Sequence, residues 1–394
     1  MASNFENLSD QIVDALKLAL INNSDQSFLP LHSPNFSSVD KDFVFDCLES
    51  SFVSSVGAYV DKFERQICDF TGAKFAVATV NGTAALSLAL LCAGTKRGEE
   101  VFVPSLSFIA TANAVSHIGA IPHFVDIEDE SLGMDPLALR AHITNTCEIK
   151  NGKLTNKRTG KIISAVIPMH CFGHPCNIFE LNDLAEEFKL NVIEDAAEAL
   201  GSFVGDTHVG MIGKASIFSF NGNKILTTGG GGMIVTNDES IYLKARHLST
   251  TAKITHPFNY EHDEIGFNYR MPNLNAALGC AQILSLKNKI RNKRKLYQKY
   301  KKAFAKISDL YLLGEPKKCY SNYWLQTVIL SGEISSETRD EIIRNAANAG
   351  FMCRPAWGLL HEQAPYKKNP QSSMNVSSSI VRRILNIPSS AWLK

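Results

Sequence analysis

Three short segments hold residue types whose order and spacing suit chemistry on a ligand with an anion and a carbonyl. Asn81-Gly82-Thr83 lies between an apolar run, Phe75 to Val80, and a small-residue stretch, Ala84 to Ala93. A glycine at that junction lets a ligand approach the backbone, and the unpaired amides and dipole of a helix N-terminus attract anions. The same triplet also reads as an ordinary helix cap. Glu194-Asp195-Ala196-Ala197-Glu198 follows another apolar run. A carboxylate at a strand end suits a protonated ring nitrogen, a metal ion or a cap. Ser219-Phe220-Asn221-Gly222-Asn223-Lys224 sets a lysine on a turn ahead of the glycine run Gly229 to Gly232. Partial burial disfavours the charged form of a lysine, and the neutral amine attacks carbonyls to form a Schiff base. A solvated turn lysine is the alternative. Combined, the three segments offer amides and hydroxyls for a phosphate, an acid for a ring nitrogen and an amine for an aldehyde. Those are the needs of pyridoxal 5'-phosphate, and Phe108, after Pro104-Ser105-Leu106-Ser107, is available to cover its ring.

Residues so placed need a framework that brings strand ends together. The apolar pattern predicts strands over 75–80, 100–104, 121–126, 162–169, 192–194, 217–220 and 233–236. Helices are expected over 84–93, 108–118 and 181–188, with an earlier one stopping at Gly72. This alternation predicts an α/β fold with a mostly parallel sheet and helices on both faces, and ligands outside the carboxyl ends of the strands. The last two strands flank the glycine run and are expected to be joined by a tight turn. Residues 145–160 read as a surface insertion. The division expected is an N-terminal helical lead-in over 1–30, a large domain over 31–260 and a smaller C-terminal α+β domain over 261–394. In the lead-in, Phe5, Leu8, Ile12, Ala15, Leu16 and Ala19 keep helical spacing. The small domain opens on a long helix after Pro272 and continues with a strand over 324–330 and a helix over 338–349.

Composition removes several function classes. The chain has 394 residues, 40 Lys plus Arg against 39 Asp plus Glu, and a net charge of +1. No global field points to nucleic acid or an anionic membrane. The longest stretch without acid or base, Val101 to Val125, is interspersed with Ser, Thr, Asn, His and Pro and does not read as a membrane span. Glu6 and Asp10, with no early Lys or Arg, do not make the basic start of a signal peptide. Nine cysteines at no even spacing fit free thiols in a reducing cytoplasm. From Lys287 to Lys302 there are nine Lys or Arg and no acid. Ile283, Ile290, Tyr297 and Phe304 fall seven apart and mark a buried stripe, so this stretch reads as a solvated basic face rather than a nucleic-acid site. His170-Cys171-Phe172-Gly173-His174-Pro175-Cys176 gathers four potential ligands without the second half that structural zinc requires, so no metal is expected.

The ordered motifs Asn81-Gly82-Thr83-Ala84-Ala85-Leu86, Pro104 to Phe108, Glu194 to Glu198, Ser219 to Lys224 and Gly266-Phe267-Asn268-Tyr269-Arg270 resemble the DegT-type family of sugar-nucleotide aminotransferases. The resemblance runs from about Leu31 to Ser390. Ser54-Ser55-Val56-Gly57, Ala78 to Thr83 and Thr250-Thr251-Ala252-Lys253 look closest to its LegC-like branch. What the resemblance implies is an aspartate-aminotransferase-like fold (pyridoxal phosphate fold type I) and a homodimer with active sites at the interface. It also implies transfer of an amino group from L-glutamate to a UDP-linked 4-keto-6-deoxy-N-acetylhexosamine, for surface glycan biosynthesis. A GDP-linked 4-keto-6-deoxymannose, as in perosamine-type synthases, is the competing substrate, and a non-catalytic regulatory protein on the same fold is a further alternative. Carried over, Lys224 is the Schiff-base lysine and Asp195 pairs with the ring nitrogen. Gly82, Thr83, Ser219 and Asn221 belong to the cofactor site with the stacking Phe108, and Glu198 stands near the phenolic oxygen. Asn268, or Arg270 in its place, reaches the partner's phosphate. His170, Arg354, Trp357 and His361 are the substrate candidates. Relatives that dehydrate rather than transaminate replace the lysine with histidine, so Lys224 favours transfer. Relatives usually continue past Pro388-Ser389-Ser390 into a final helix, which this sequence does not include.

Overall fold

The computed structural model describes residues 2–23, 25–332 and 334–393, with the side chains from Leu8 onward. Phe5 lies outside the described side chains. The described residues form eleven α-helices: α1 (Ala2–Ala19), α2 (Ser38–Glu49), α3 (Ala58–Thr71), α4 (Gly82–Cys92), α5 (Ala110–His117), α6 (Pro136–Thr146), α7 (Ile178–Glu187), α8 (Glu239–Ser249), α9 (Asn273–Phe304), α10 (Ser336–Asn348) and α11 (Asn375–Ile380).

The principal sheet has seven strands: β1 (Phe75–Thr79), β2 (Glu100–Pro104), β3 (Ile121–Val125), β4 (Ile163–Val166), β5 (Asn191–Asp195), β6 (Ala215–Ser219) and β7 (Gly232–Thr236). Their order across the sheet is β1-β7-β6-β5-β4-β2-β3. All neighbours run parallel except at β7, which is antiparallel to both β1 and β6. The strands are buried on both faces, as expected of apolar runs sandwiched between helix layers. A long helix of 32 residues, α9, leads from this sheet to a second, four-stranded one. That sheet contains β8 (Leu310–Leu312), β9 (Gln326–Leu330), β10 (Arg354–Pro355) and β11 (Ile384–Ile387).

Three features differ from what the sequence suggests. Strands β6 and β7 are joined by a loop over residues 220–231, not a tight turn. Its ends are cross-linked, with Phe220 N donating to Gly231 O at 2.8 Å and Thr228 N to Phe220 O at 3.0 Å. Asn275, in the first turn of α9, donates to the carbonyls of Thr228 and Gly230 at 2.7 and 3.1 Å. The 145–160 insertion forms a hairpin (Cys147–Lys150 with Lys153–Asn156) whose base is buried. Asn156 and Thr159 donate to the buried Glu100 at 2.9 and 2.6 Å, and His123 lies 2.8 Å from the same carboxylate. The basic stretch of α9 is not wholly solvated, because Lys293 is fully buried and donates to the carbonyl of Ser389. The expected stripe of Ile283, Ile290, Tyr297 and Phe304 is buried as its spacing implies. Helix α1 packs Leu8, Ile12 and Leu16 against Leu296, Tyr300, Val328 and Ile342 of the second sheet's unit. No helix among the described residues is long and apolar enough to cross a membrane.

Candidate active site

At the carboxyl ends of β5 and β6 lies a cavity of about 310 Å³. Its wall includes Gly82, Thr83, Phe108, Asp195, Glu198, Ser219, Asn221 and Lys224, so eight of the cofactor residues expected from the sequence meet in one place. The anion end is built by α4. Asn81 is extended, and its Oδ1 takes the Ala84 amide at 2.8 Å. Capping that third amide leaves those of Gly82 and Thr83 for a ligand's oxygens. The cap and the anion site are therefore compatible readings of one triplet. A side chain on Gly82 would place its Cβ 3.0 Å from Cβ of Ser219, and one on Gly232 would stand 2.5 Å from the Asn81 carbonyl. Close backbone approach here requires glycine at both positions.

Asp195 ends β5 and is buried. Its Oδ2 accepts from Thr111 at 2.8 Å and its Oδ1 from the Ala197 amide at 3.2 Å. Burial raises the Asp195 carboxyl above its usual range, while these two donors and the Lys224 charge oppose that rise. Lys224 Nζ lies 3.1 Å from Oε1 of Glu198 and 3.9 Å from the centre of the Trp324 ring. Trp324 in turn donates its indole N–H to Asn223 O at 2.7 Å, fixing the turn that carries the lysine. Glu198 is buried, receives the Phe172 amide at 2.9 Å, and is raised to about 7 by desolvation against the opposing Lys224 charge. Phe108 is half exposed, with its ring centroid 6.2 Å from that of Trp357.

A second cavity of about 480 Å³ shares Asn223, Trp324 and Trp357 with the first and adds His32, Arg354 and Asn386. Arg354 is exposed and faces no carboxylate among the described residues. Of the four substrate candidates, Arg354 and Trp357 line these cavities. His170 and His361 do not. His170 is fully buried, accepts the Cys176 amide on Nδ1 at 3.2 Å and lies 3.1 Å from Glu194 through Nε2. It is a structural link between strand ends. His361 packs against Phe124, ring centroids 6.5 Å apart. The other members of the 170–176 cluster also turn elsewhere, with His174 edge-on to Tyr323 and Cys171 in the core. Asn268 is exposed and lies outside its own chain's cavity. Arg270 is buried and paired with Glu64 at 2.8 Å, so it is committed within the chain.

Thr111, Asn223 and Trp324 were not singled out from the sequence. Thr111 looks like any helix residue, and Trp324 comes from the second sheet's unit. Neither carries a local signal of its tertiary neighbour.

The residues present fit pyridoxal phosphate: free helix amides with two hydroxyls at one end, a buried carboxylate, an amine, and a cradle that a Cβ would fill. The comparisons with known proteins agree. The model of the DegT/DnrJ/EryC1/StrS aminotransferase family matches residues 37–394. GDP-perosamine synthase of Escherichia coli O157:H7 is 34% identical over 362 residues, spanning 92% of this chain and 93% of the relative. GDP-perosamine synthase of Caulobacter vibrioides is 34% identical over 373 residues, spanning 94% and 95%. Among solved structures, a DegT DnrJ EryC1 StrS aminotransferase from Brucella abortus superposes with a TM-score of 0.82 at 26% identity, covering 91% of each chain. Helicobacter pylori PseC, an aminotransferase of pseudoaminic acid biosynthesis, shares the fold at a TM-score of 0.84 and 22% identity over 93% and 95% of the chains. The chain belongs to the DegT/DnrJ/EryC1/StrS aminotransferases, a family of pyridoxal phosphate-dependent sugar aminotransferases.

Proposed function

We propose that this aminotransferase moves the amino group of L-glutamate to the C4 ketone of a nucleotide-linked 4-keto-6-deoxy sugar. The observation that carries the reading is Lys224 held between Glu198 and Trp324, in a cavity that also holds Asp195 and the open amides of α4. Gly82, Thr83 and Ser219 would hold the cofactor's phosphate, Asp195 its ring nitrogen and Phe108 its ring face. Bound there, pyridoxal phosphate supplies the aldehyde that takes up the donor's nitrogen and a ring that accepts electrons from the carbon losing a proton.

The chain's own residues supply the proton traffic. Lys224 Nζ takes the proton from the donor's Cα and returns it on the other side of the transfer, then reverses this on the sugar. Glu198, 3.1 Å away, accepts from Nζ and holds the amine over the cavity, its own carboxyl raised to about 7 by burial. Asp195, its oxygens turned by the Thr111 hydroxyl and the Ala197 amide, would pair with the protonated ring nitrogen. Trp324 and Trp357 wall the passage to the second cavity, where the Arg354 guanidinium suits the substrate's diphosphate. Asn268 is left free to reach the phosphate site of a second copy, so the assembly proposed is a homodimer. Nine free cysteines fit a reducing cytoplasm.

The motifs of residues 54–57 and 250–253 favour a UDP-linked N-acetylhexosamine, and the two synthases above favour a GDP-linked sugar by their names. The test is to load the purified protein with pyridoxal phosphate, add L-glutamate, remove excess donor, and offer the UDP- and GDP-linked 4-keto-6-deoxy sugars separately. The expected result is bleaching of the visible band by glutamate and an amino sugar nucleotide from one of the two. Lys224→Ala is expected to lower the rate at least about 1000-fold while keeping the far-ultraviolet spectrum of the folded protein. No product from either sugar, or full activity in Lys224→Ala, overturns the reading.

A further inference from the structure

Asp195 does not reach the cavity alone. Beside it on the cavity wall, Thr111 Oγ1 lies 2.8 Å from Oδ2, and Ser107 Oγ lies 2.6 Å from Thr111 Oγ1. Ser107 and Thr111 are buried, at 0% and 1% exposure, so water does not compete for these hydroxyls. A carboxylate only accepts hydrogen bonds, so Thr111 must donate to Asp195. Having given its one proton, Thr111 must accept from Ser107. The direction of the chain is thus fixed: Ser107 to Thr111 to Asp195. Such a one-way chain polarises along its length and is stronger than its separate bonds.

Its anchorage is rigid. Ser107 belongs to the loop after β2 and Thr111 to the first turn of α5, where the Thr111 amide donates to Phe108 O at 3.1 Å. Asp195 ends β5, and β4 lies between β2 and β5 in the sheet. The chain therefore spans one intervening strand and ties the loop bearing Phe108 to the carboxylate. With the Ala197 amide on Oδ1 at 3.2 Å, both oxygens are engaged and the plane of the carboxylate is set. The charged groups around it are Lys224 and Glu198 on the cavity side and His170 from the loop after β4.

We infer that Thr111, polarised by Ser107, is a positioning residue that orients the Asp195 carboxylate toward the ring nitrogen of the cofactor and decides on which atom their shared proton rests. This rests on the function proposed above. Without the Thr111 donor, Asp195 becomes the more basic partner and the proton moves from nitrogen to oxygen.

The test uses the intact protein loaded with pyridoxal phosphate carrying 15N in the ring, with Thr111→Val, Thr111→Ser and Ser107→Ala beside the wild type. In the wild type the 15N shift is expected at the protonated value. In Thr111→Val, which keeps the shape, it moves toward the unprotonated value, and the half-reaction with L-glutamate slows about 10- to 100-fold, the effect of one hydrogen bond to a charged group. Ser107→Ala is expected to shift both in the same direction by less. Thr111→Ser restores both to within about threefold of wild type, which a purely structural methyl contact would not do. A Thr111→Val protein with the wild-type 15N shift and rate overturns the inference, as does a Thr111→Ser protein as defective as Thr111→Val. Should wild-type protein bind the cofactor but fail to react with glutamate, the proposed function falls, while the 15N shift still decides the role of Thr111.

Discussion

At the residue scale the site rests on a buried carboxyl held beside an amine. The Glu198 carboxyl is raised to about 7 from an ordinary 4.5, chiefly by desolvation. A group whose pKa is higher folded than unfolded binds more protons in the folded state between those values. Stability in that window therefore falls as pH rises. Cofactor-free protein is expected to lose on the order of 1 kcal/mol between pH 6 and pH 8 through this group. Glu198→Gln removes that slope, which chemical denaturation at the two pH values measures. An equal slope in the variant would place the titration elsewhere. Lys224 and Asp195 stand out in the sequence only in combination, since a turn lysine and an acid at a strand end each read alone as a solvated side chain or a cap. Trp324 and Thr111 do not, because what brings them to the cavity is a neighbour far away in the chain. His170 and His361, substrate candidates by resemblance alone, lie outside the two cavities: His170 is fully buried beside Glu194, while the partly buried His361 packs near Phe124.

At the scale of elements, the cavity depends on how closely α4 can sit to the sheet. Gly232, the first residue of β7, leaves no room for a Cβ beside the Asn81 carbonyl. Gly232→Ala is expected to displace the start of α4, lower stability by about 1–3 kcal/mol and weaken binding of pyridoxal phosphate at least tenfold. Fluorescence titration with the cofactor measures the second effect, and unchanged affinity would show that α4 does not hold the phosphate. The central strands were readable because runs buried on both faces are apolar without interruption. The connection between β6 and β7 was not. Four glycines in a row look like a turn, but that loop is shaped by Asn275 from α9 and by its own crossed ends, which no local pattern encodes. Likewise, the expected solvated face of α9 fails at Lys293, where the segment after β11 closes over the helix, Ser389 O accepts from the amine and burial disfavours its charge.

On the scale of the molecule, α1 contributes to the core beneath the second sheet. Leu16 is fully buried there, and Leu16→Ala is expected to cost about 2–5 kcal/mol, read by thermal or denaturant unfolding. A loss under 1 kcal/mol would mean that α1 is only loosely applied. The segment between α8 and α9 exposes Phe258, Tyr260 and Ile265 at 79%, 81% and 92%. They are the exposed apolar side chains of the segment that leads to Asn268, so, if the proposed homodimer buries them, Phe258→Asp with Ile265→Asp is expected to halve the mass seen by sedimentation. A wild-type monomer would remove the reason for placing Asn268 in a partner's site.

The pairing of β1 with β7 has a bearing on how the chain is made. Among the described residues, 75–79 find their ladder neighbour at residues 232–236, with a single further bridge from Thr79 to Arg270. At the usual pace of translation, about 5–20 residues per second, β1 is made about 8–30 s before that neighbour. During this interval an apolar strand with unpaired backbone groups is exposed, and closing so long a loop is entropically slow. The close approach of α4 to the sheet at Gly232 is therefore complete only once β7 lies between β1 and β6.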